Sequence, residues 1–227
     1  MPGVLWSSTP GAPLVLMGHG GGLHKRAPAQ VARARALVTG FGFSVVAIDA
    51  PGHGDRPRSA RDEQVRAELG AAMAAGSTER VAAVSAAYGA DLAERAVPEW
   101  RAVLDALQRL PEIGESAPIG YGGGITLGTA IGIPLVAAEP RIKAAIFGAG
   151  FVVSAPLLAA ARLVTVPVQF LLPWDDEHVD RASALALFDA FGSPEKTLHA
   201  NPGDHRTIRW HGIDDQFLAR HLGRLPR

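Results

Sequence analysis

One hydroxyl set between small residues is the first candidate for chemistry. In Gly124-Ile125-Thr126-Leu127-Gly128 a glycine stands two positions to either side of Thr126. That spacing suits a nucleophile on a sharp strand-to-helix turn, where neighbouring side chains must be small and the helix N-terminus favours negative charge. A threonine hydroxyl with a base beside it can attack a carbonyl carbon. A second turn, Gly18-His19-Gly20-Gly21-Gly22, lets backbone amides approach a ligand closely and point at a developing anion. A third, Asp49-Ala50-Pro51-Gly52-His53-Gly54-Asp55-Arg56, has the proline and glycine of a tight turn. Within it His53 is expected to support the turn, and Arg56 is a candidate partner for a substrate carboxylate. The chain has eight histidines, so a histidine alone says little. His19 reads as structural, and His24, His178, His199, His211 and His221 carry no motif of their own. None has metal-ligand spacing such as HExxH, so no metal is expected.

These residues need elements that bring them together. Short apolar runs at 13–17, 43–48, 117–121, 143–147 and 166–172 read as buried strands, each ended by Gly, Pro or Asp. Helical segments are expected between them, near 27–38, 102–110, 128–138, 183–191 and 213–222. Strands alternating with helices predict a mostly parallel sheet covered on both faces. In such a sheet the three turns all follow strands, so they emerge on one carboxyl edge, where open α/β proteins bind ligands. Residues 58–96 hold no strand pattern and read as two helices split near Gly76 and Ser77, with Ser77 or Thr78 as an N-cap. They are either a helical lid or ordinary crossover helices.

A chain of 227 residues fits one large domain or two small ones and can bury a sizeable core. With no cysteine, disulfides and thiolate chemistry are excluded. Lys+Arg and Asp+Glu are both 22, so charge gives no reason to expect nucleic acid or an anionic membrane as partner. The most apolar stretch, 142–168, is interrupted by Gly148, Gly150, Pro156, Arg162 and Pro167 and is not a membrane span. No basic-then-apolar segment opens the chain, and a cytoplasmic protein is expected.

In order along the chain, GHGGGLHKR, AIDAPGHGDR, GYGGGITLGT, FLLPWDDEHVD and NPGDH resemble the α/β-hydrolase superfamily, close to small bacterial hydrolases of the dienelactone-hydrolase-like branch. The resemblance covers almost the whole chain. It implies one α/β-hydrolase domain over 1–227, with 58–96 as a candidate lid. It further implies that Thr126 stands where the serine nucleophile stands. The acid follows the strand ending FLL, and the family's habit of placing it three positions before a valine selects Asp176 over Asp175. His205, in Pro202-Gly203-Asp204-His205, would take the proton, and Asp176 would orient it. The amides of Leu127 and of Gly21 or Gly22 would hold the oxyanion. Leu23, Arg56, Tyr121, Phe151 and Trp174 are expected around the pocket.

The chain departs from that pattern in three places. Threonine replaces serine, and its methyl crowds both the approach and the positive φ of the elbow, a cost of about 1–3 kcal/mol. Gly122 and Gly123 precede the elbow where a bulkier residue is usual. A register centred on the glycines of Gly120-Tyr121-Gly122-Gly123-Gly124 would have no hydroxyl and would start the helix too early. Finally, only Val4 to Trp6 precede the first buried strand, so a smaller sheet is expected. The implied activity is hydrolysis of an ester, thioester or lactone without a cofactor, on a small-molecule substrate. The alternatives are a lyase, cyclase or isomerase using His205 as general base, and a ligand-binding protein without turnover. A homodimer is left open.

Overall fold

The computed structural model describes residues 2–124, 126–150, 152–205, 208, 214 and 216–223. Ile125 of the elbow, the wall residue Phe151, His211 and the expected start of the last helix at Ile213 lie outside them. Seven strands form one sheet: β1 (Gly3–Trp6), β2 (Leu14–Leu16), β3 (Ser44–Ile48), β4 (Ile119–Gly122), β5 (Ile142–Gly148), β6 (Val168–Pro173) and β7 (Lys196–Asn201). Their order is β1-β3-β2-β4-β5-β6-β7. All neighbours pair in parallel except β1, which runs antiparallel to β3. The α/β architecture is therefore as the alternation of apolar runs predicts.

Helices cover both faces: α1 (Pro28–Phe41), α2 (Ala60–Ala74), α3 (Thr78–Gln108), α4 (Leu127–Ala138), α5 (Ala155–Leu163), α6 (Arg181–Ala190) and α7 (Phe217–His221). One core lies between the sheet and α3 to α6, built around Leu104, Tyr121, Ile133, Phe147 and Phe170. The other lies under α1 and α7, around Val15, Met17, Phe43, Phe217 and Leu222. Strands β2, β3 and β4 are buried along their whole length, which is why they read as unbroken apolar runs.

The structure corrects the sequence reading at four elements. Residues 58–96 and the helix expected at 102–110 are not separate: α3 runs unbroken from Thr78 to Gln108 through Pro98. An interior proline costs about 3 kcal/mol or more. Here the same helix buries Leu92, Ala93 and Ala96 before the proline and Trp100, Leu104 and Leu107 after it, which outweighs that cost. Helix α5 was hidden because Pro156 reads as a breaker. It falls in the first turn, where no N–H is needed, and Ser154 caps the helix by accepting from the Leu157 amide. Strand β7 was hidden because it is a polar edge strand with Leu198 as its packed apolar residue. The last helix is short, Phe217–His221.

The expected split near Gly76 is present, and Ser77 is the N-cap, accepting from the Arg80 amide. The hairpin of α2 and α3 is held at its base by Asp62, which is 1% exposed. Its carboxylate accepts from the Ser59 amide and hydroxyl at 2.8 Å each, from the Tyr88 hydroxyl at 3.0 Å and from Arg95 at 2.8 Å. Burial alone would raise this carboxyl. The Arg95 guanidinium and the Ser59 and Tyr88 donors overcome burial and hold it well below the usual carboxylate range. Burial and the neighbouring carboxylate push the Tyr88 hydroxyl up to about 12.

A lowered carboxyl pKa stabilises the fold above the unfolded-state value near pH 4, and that contribution is lost progressively as pH falls from there through the lower folded-state value. Asp62→Asn is expected to cost about 2 kcal/mol at neutral pH. In thermal unfolding followed across pH, the gap between wild type and Asp62→Asn should narrow below about pH 4.

Candidate active site

The chain order of the strands reverses at β2. From it the chain crosses to β3 on one side and later to β4 on the other. Ligand crevices form at such points, outside the carboxyl ends of the strands. The turn after β2 and the turn after β4 face each other here, and Gly18 and His19 run against Gly124 and Gly128. A Cβ on Gly124 would meet the backbone of Gly18, His19 and Gly20 at 3.5 Å, and one on Gly128 would meet the His19 carbonyl at 3.4 Å. Any longer side chain at either position would drive the two turns apart.

Thr126 sits between these glycines as the N-cap of α4, with φ 68° and ψ −106°. It is the one non-glycine residue with positive φ among the described residues. Such a conformation costs a β-branched residue about 1–3 kcal/mol and persists only where the surroundings over-determine it. Five hydrogen bonds do so. The Thr126 carbonyl accepts from the Thr129 and Ala130 amides at 3.1 and 2.9 Å. The buried Thr129 hydroxyl lies 2.6 Å from the Gly148 carbonyl and 3.1 Å from that of Gly124. The Tyr121 hydroxyl donates to the Gly128 carbonyl at 2.6 Å. Gly132, on the next turn of α4, leaves room for the Tyr121 ring, which a Cβ there would meet at 2.2 Å.

The amide of Gly21 donates to the Thr126 Oγ1 at 3.2 Å. Gly22 follows with φ 73°, which a glycine adopts without strain. Leu127 is the first residue of α4, so its amide is one of the helix donors with no partner inside the helix. The glycine turn is held from both sides. Gln30 Nε2 donates to the Gly18 carbonyl at 2.6 Å, and Arg33 donates to the Gly123 carbonyl at 3.2 Å, so α1 ties the two turns together. His19 is buried. Its Nδ1 lies 2.9 Å from the Gly20 carbonyl while its Nε2 accepts from the Ala50 amide at 3.0 Å, the pattern of a neutral ring. Burial lowers its pKa, which agrees with a structural role. His53 Nδ1 lies 2.9 Å from the Pro51 carbonyl and so braces the turn, as the sequence suggests.

Asp176 and His205 stand beyond the ends of β6 and β7. Asp176, in the turn after β6, is buried. Its Oδ2 accepts from the His205 amide at 2.6 Å and lies 2.6 Å from His205 Nδ1, while its Oδ1 accepts from the His178 amide at 2.9 Å. Burial alone would raise this carboxyl; the His178 and His205 amides and the His205 ring hold it below the usual carboxylate range. An ionised carboxylate there takes the Nδ1–H and leaves Nε2 with the ring's lone pair. Asp175 does something different: its Oδ2 accepts from the Gly203 amide at 3.0 Å and fixes the turn that carries His205. Backbone bonds stitch the edge together, from Thr126 N to Ala149 O, Ala149 N to Leu171 O and Trp174 N to Asn201 O, at 3.4, 2.8 and 2.8 Å.

Two expected pocket residues are placed elsewhere. Tyr121 is fully buried under the glycine turn with its hydroxyl committed to Gly128, so it supports the elbow instead of touching a substrate. Arg56 forms a two-pronged pair with Glu99 of α3, at 2.6 and 2.7 Å, and donates to the Asp49 carbonyl at 3.1 Å. Its guanidinium is a structural tie between a turn and a helix. Leu23 and Trp174 are exposed, at 48% and 38%, and Arg181 stacks over the Trp174 ring at 4.1 Å. Sequence reasoning missed Thr129 and Lys25. Thr129 looks like an ordinary helix residue, and Lys25 looks like a surface cation although it is 2% exposed. No group of three or more metal-ligating side chains occurs among the described residues. Nor is any helix among them long and apolar enough to cross a membrane.

No protein-family model matches the chain, and no curated protein does. Solved structures do. A cold-adapted esterase from an Arctic intertidal metagenomic library, in its PEG-bound complex, is 33% identical over 97% of this chain and 88% of its own, with a TM-score of 0.71. Dienelactone hydrolase of Anabaena variabilis is 18% identical over 96% and 85% of the two chains, with a TM-score of 0.60. A monoacylglycerol lipase of Paleococcus ferrophilus is 15% identical over 97% and 96%, with a TM-score of 0.58. The last two share the fold at low identity.

If Gly132 exists to seat Tyr121 beneath the elbow, Gly132→Ala should displace that ring. Thermal unfolding is expected to show a loss of about 1–3 kcal/mol, whereas Gly70→Ala, where a Cβ meets nothing within 4 Å, should not lower stability.

Proposed function

This chain belongs to the α/β-hydrolase superfamily, in the company of its esterases, and from that premise we propose that it hydrolyses carboxylic esters through an acyl-enzyme on Thr126. The observation that carries the proposal is the strained elbow. A β-branched residue is held at φ 68° with its hydroxyl oxygen 3.2 Å from the Gly21 amide. A fold has no stability reason to keep such a residue there, and a reactive hydroxyl is a reason.

In the proposed reaction the Thr126 Oγ attacks the ester carbonyl carbon and His205 Nε2 takes its proton. The carbonyl oxygen becomes an oxyanion, which the amides of Gly21 or Gly22 and of Leu127 receive. Collapse of this intermediate breaks the bond to the alcohol, which leaves with the proton from His205. Water then attacks the acyl-threonine, His205 takes a proton from it, and the acid departs as the Thr126 hydroxyl is restored. Through both halves Asp176 holds Nδ1–H and stabilises the imidazolium. No cofactor or metal enters any step. Leu23 and Trp174, exposed on the turns after β2 and β6, would meet the substrate's organic part.

The threonine methyl makes this a slower nucleophile than serine would be. With p-nitrophenyl acetate, Thr126→Ala is expected to lose about 10³-fold or more in kcat, and Thr126→Ser to turn over faster than wild type. Equal rates in all three proteins would remove Thr126 from the mechanism.

A further inference from the structure

Oxyanion catalysis asks an amide to stay where the charge will form, yet the segment that supplies Gly21 and Gly22 is poorly suited to holding still. Residues 21–24 are exposed, and three consecutive glycines give the backbone more freedom than any other composition. The start of the loop is fixed through His19, Gln30 and Gly18, as described above. Its far end is fixed by a group whose residue type alone gives no hint of that role.

Lys25, three residues past Gly22, turns inward. Its ammonium forms an ion pair with the fully buried carboxylate of Asp49 and another with Asp55 at 2.7 Å. Its backbone amide also donates to Asp49 Oδ1 at 2.7 Å, and the Asp55 amide donates to Asp49 Oδ2 at 3.1 Å. One carboxylate thus gathers the side chain and backbone of Lys25 together with the backbone of the neighbouring turn. Gly54, at φ 58°, lets the chain close round it, since a Cβ there would lie 2.4 Å from the carboxylate. Arg56 carries the brace on to Glu99 of α3.

Burying a lysine and an aspartate is a poor way to gain stability, because desolvation offsets most of the attraction and apolar residues of similar size usually do as well. What a charged pair with several hydrogen bonds supplies is a single geometry. We infer that Lys25 is a positioning residue: buried between Asp49 and Asp55, it fixes the far end of the glycine loop and so the place of the Gly21 amide at the Thr126 hydroxyl. The inference rests on the proposed acyl-enzyme reading of Thr126. Leu23 shares this loop but binds through its side chain, and Trp174 stands on a different turn, so misplacing the amide weakens transition-state binding far more than ground-state binding.

The test is Lys25→Met, with Lys25→Arg as the conservative variant, assayed with p-nitrophenyl acetate and with a trifluoromethyl ketone that forms an oxyanion when the nucleophile adds to it. For Lys25→Met, kcat is expected to fall about 10- to 100-fold with KM within about threefold, and the ketone to bind more weakly by the same factor as kcat. Lys25→Arg should recover most of the loss in both readings. A folded Lys25→Met with wild-type kcat, or one that changes KM alone, overturns the inference. Should Lys25→Met fail to fold, Asp55→Asn carries the test, because its side chain is 72% exposed and meets Lys25 from the solvent side. There a kcat loss of about threefold or more at unchanged KM supports the inference, and an unchanged kcat overturns it. Thr126→Ala separates the two readings. If it is inactive while Lys25→Met is unaltered, Lys25 alone is misassigned; if Thr126→Ala works at the wild-type rate, the nucleophile reading fails and this inference with it.

Discussion

The elbow at Thr126 is the constraint from which the rest of the site follows. A β-branched residue with positive φ is unstable by itself, so the chain around it must leave no easier conformation. Glycines at 124 and 128 let the loop after β2 close over the turn, and Tyr121 and Thr129 hold the first turn of α4 from below. The same closeness that makes the elbow fit is what brings the Gly21 amide to the Thr126 hydroxyl. Strain, small flanking residues and the amides proposed to receive the oxyanion are thus one arrangement. The first-turn amides of α4 add the partial positive charge of a helix N-terminus.

The other half of the site depends on the regularity of the sheet. Strands β6 and β7 are in register from Val168 against Lys196 to Pro173 against Asn201, so the turns after them start level. Asp175 and Asp176 then divide the work: one fixes the turn before His205, and the other fixes the ring. The buried Asp176 stays ionised because three N–H groups satisfy it, which is how a carboxylate can remain charged out of water.

Much of this was legible in the sequence. Fully buried parallel strands announce themselves as apolar runs, and glycines beside a hydroxyl announce a tight turn, so β2 to β6, the elbow and the glycine loop could be placed from residue types. What could not be read depends on tertiary context. Pro98 lies inside α3 because the apolar face on both sides of it packs onto the sheet. Pro156 interrupts an apolar stretch in the sequence, yet in the fold it opens a helix. Tyr121 faces the core and Arg56 turns to Glu99, and neither direction is encoded in local spacing. Lys25 is the clearest case: a lysine next to exposed glycines reads as a solvated cation until Asp49 is seen beneath it.

The central claim is that the Thr126 oxygen becomes covalently bonded during turnover, and the most direct measurement is peptide mass mapping after treatment with a fluorophosphonate. The account predicts a single adduct, carried by Thr126 and absent when His205 is replaced by alanine. A protein that hydrolyses esters yet leaves Thr126 unmodified under full inhibition, or carries the adduct on another residue, would contradict it.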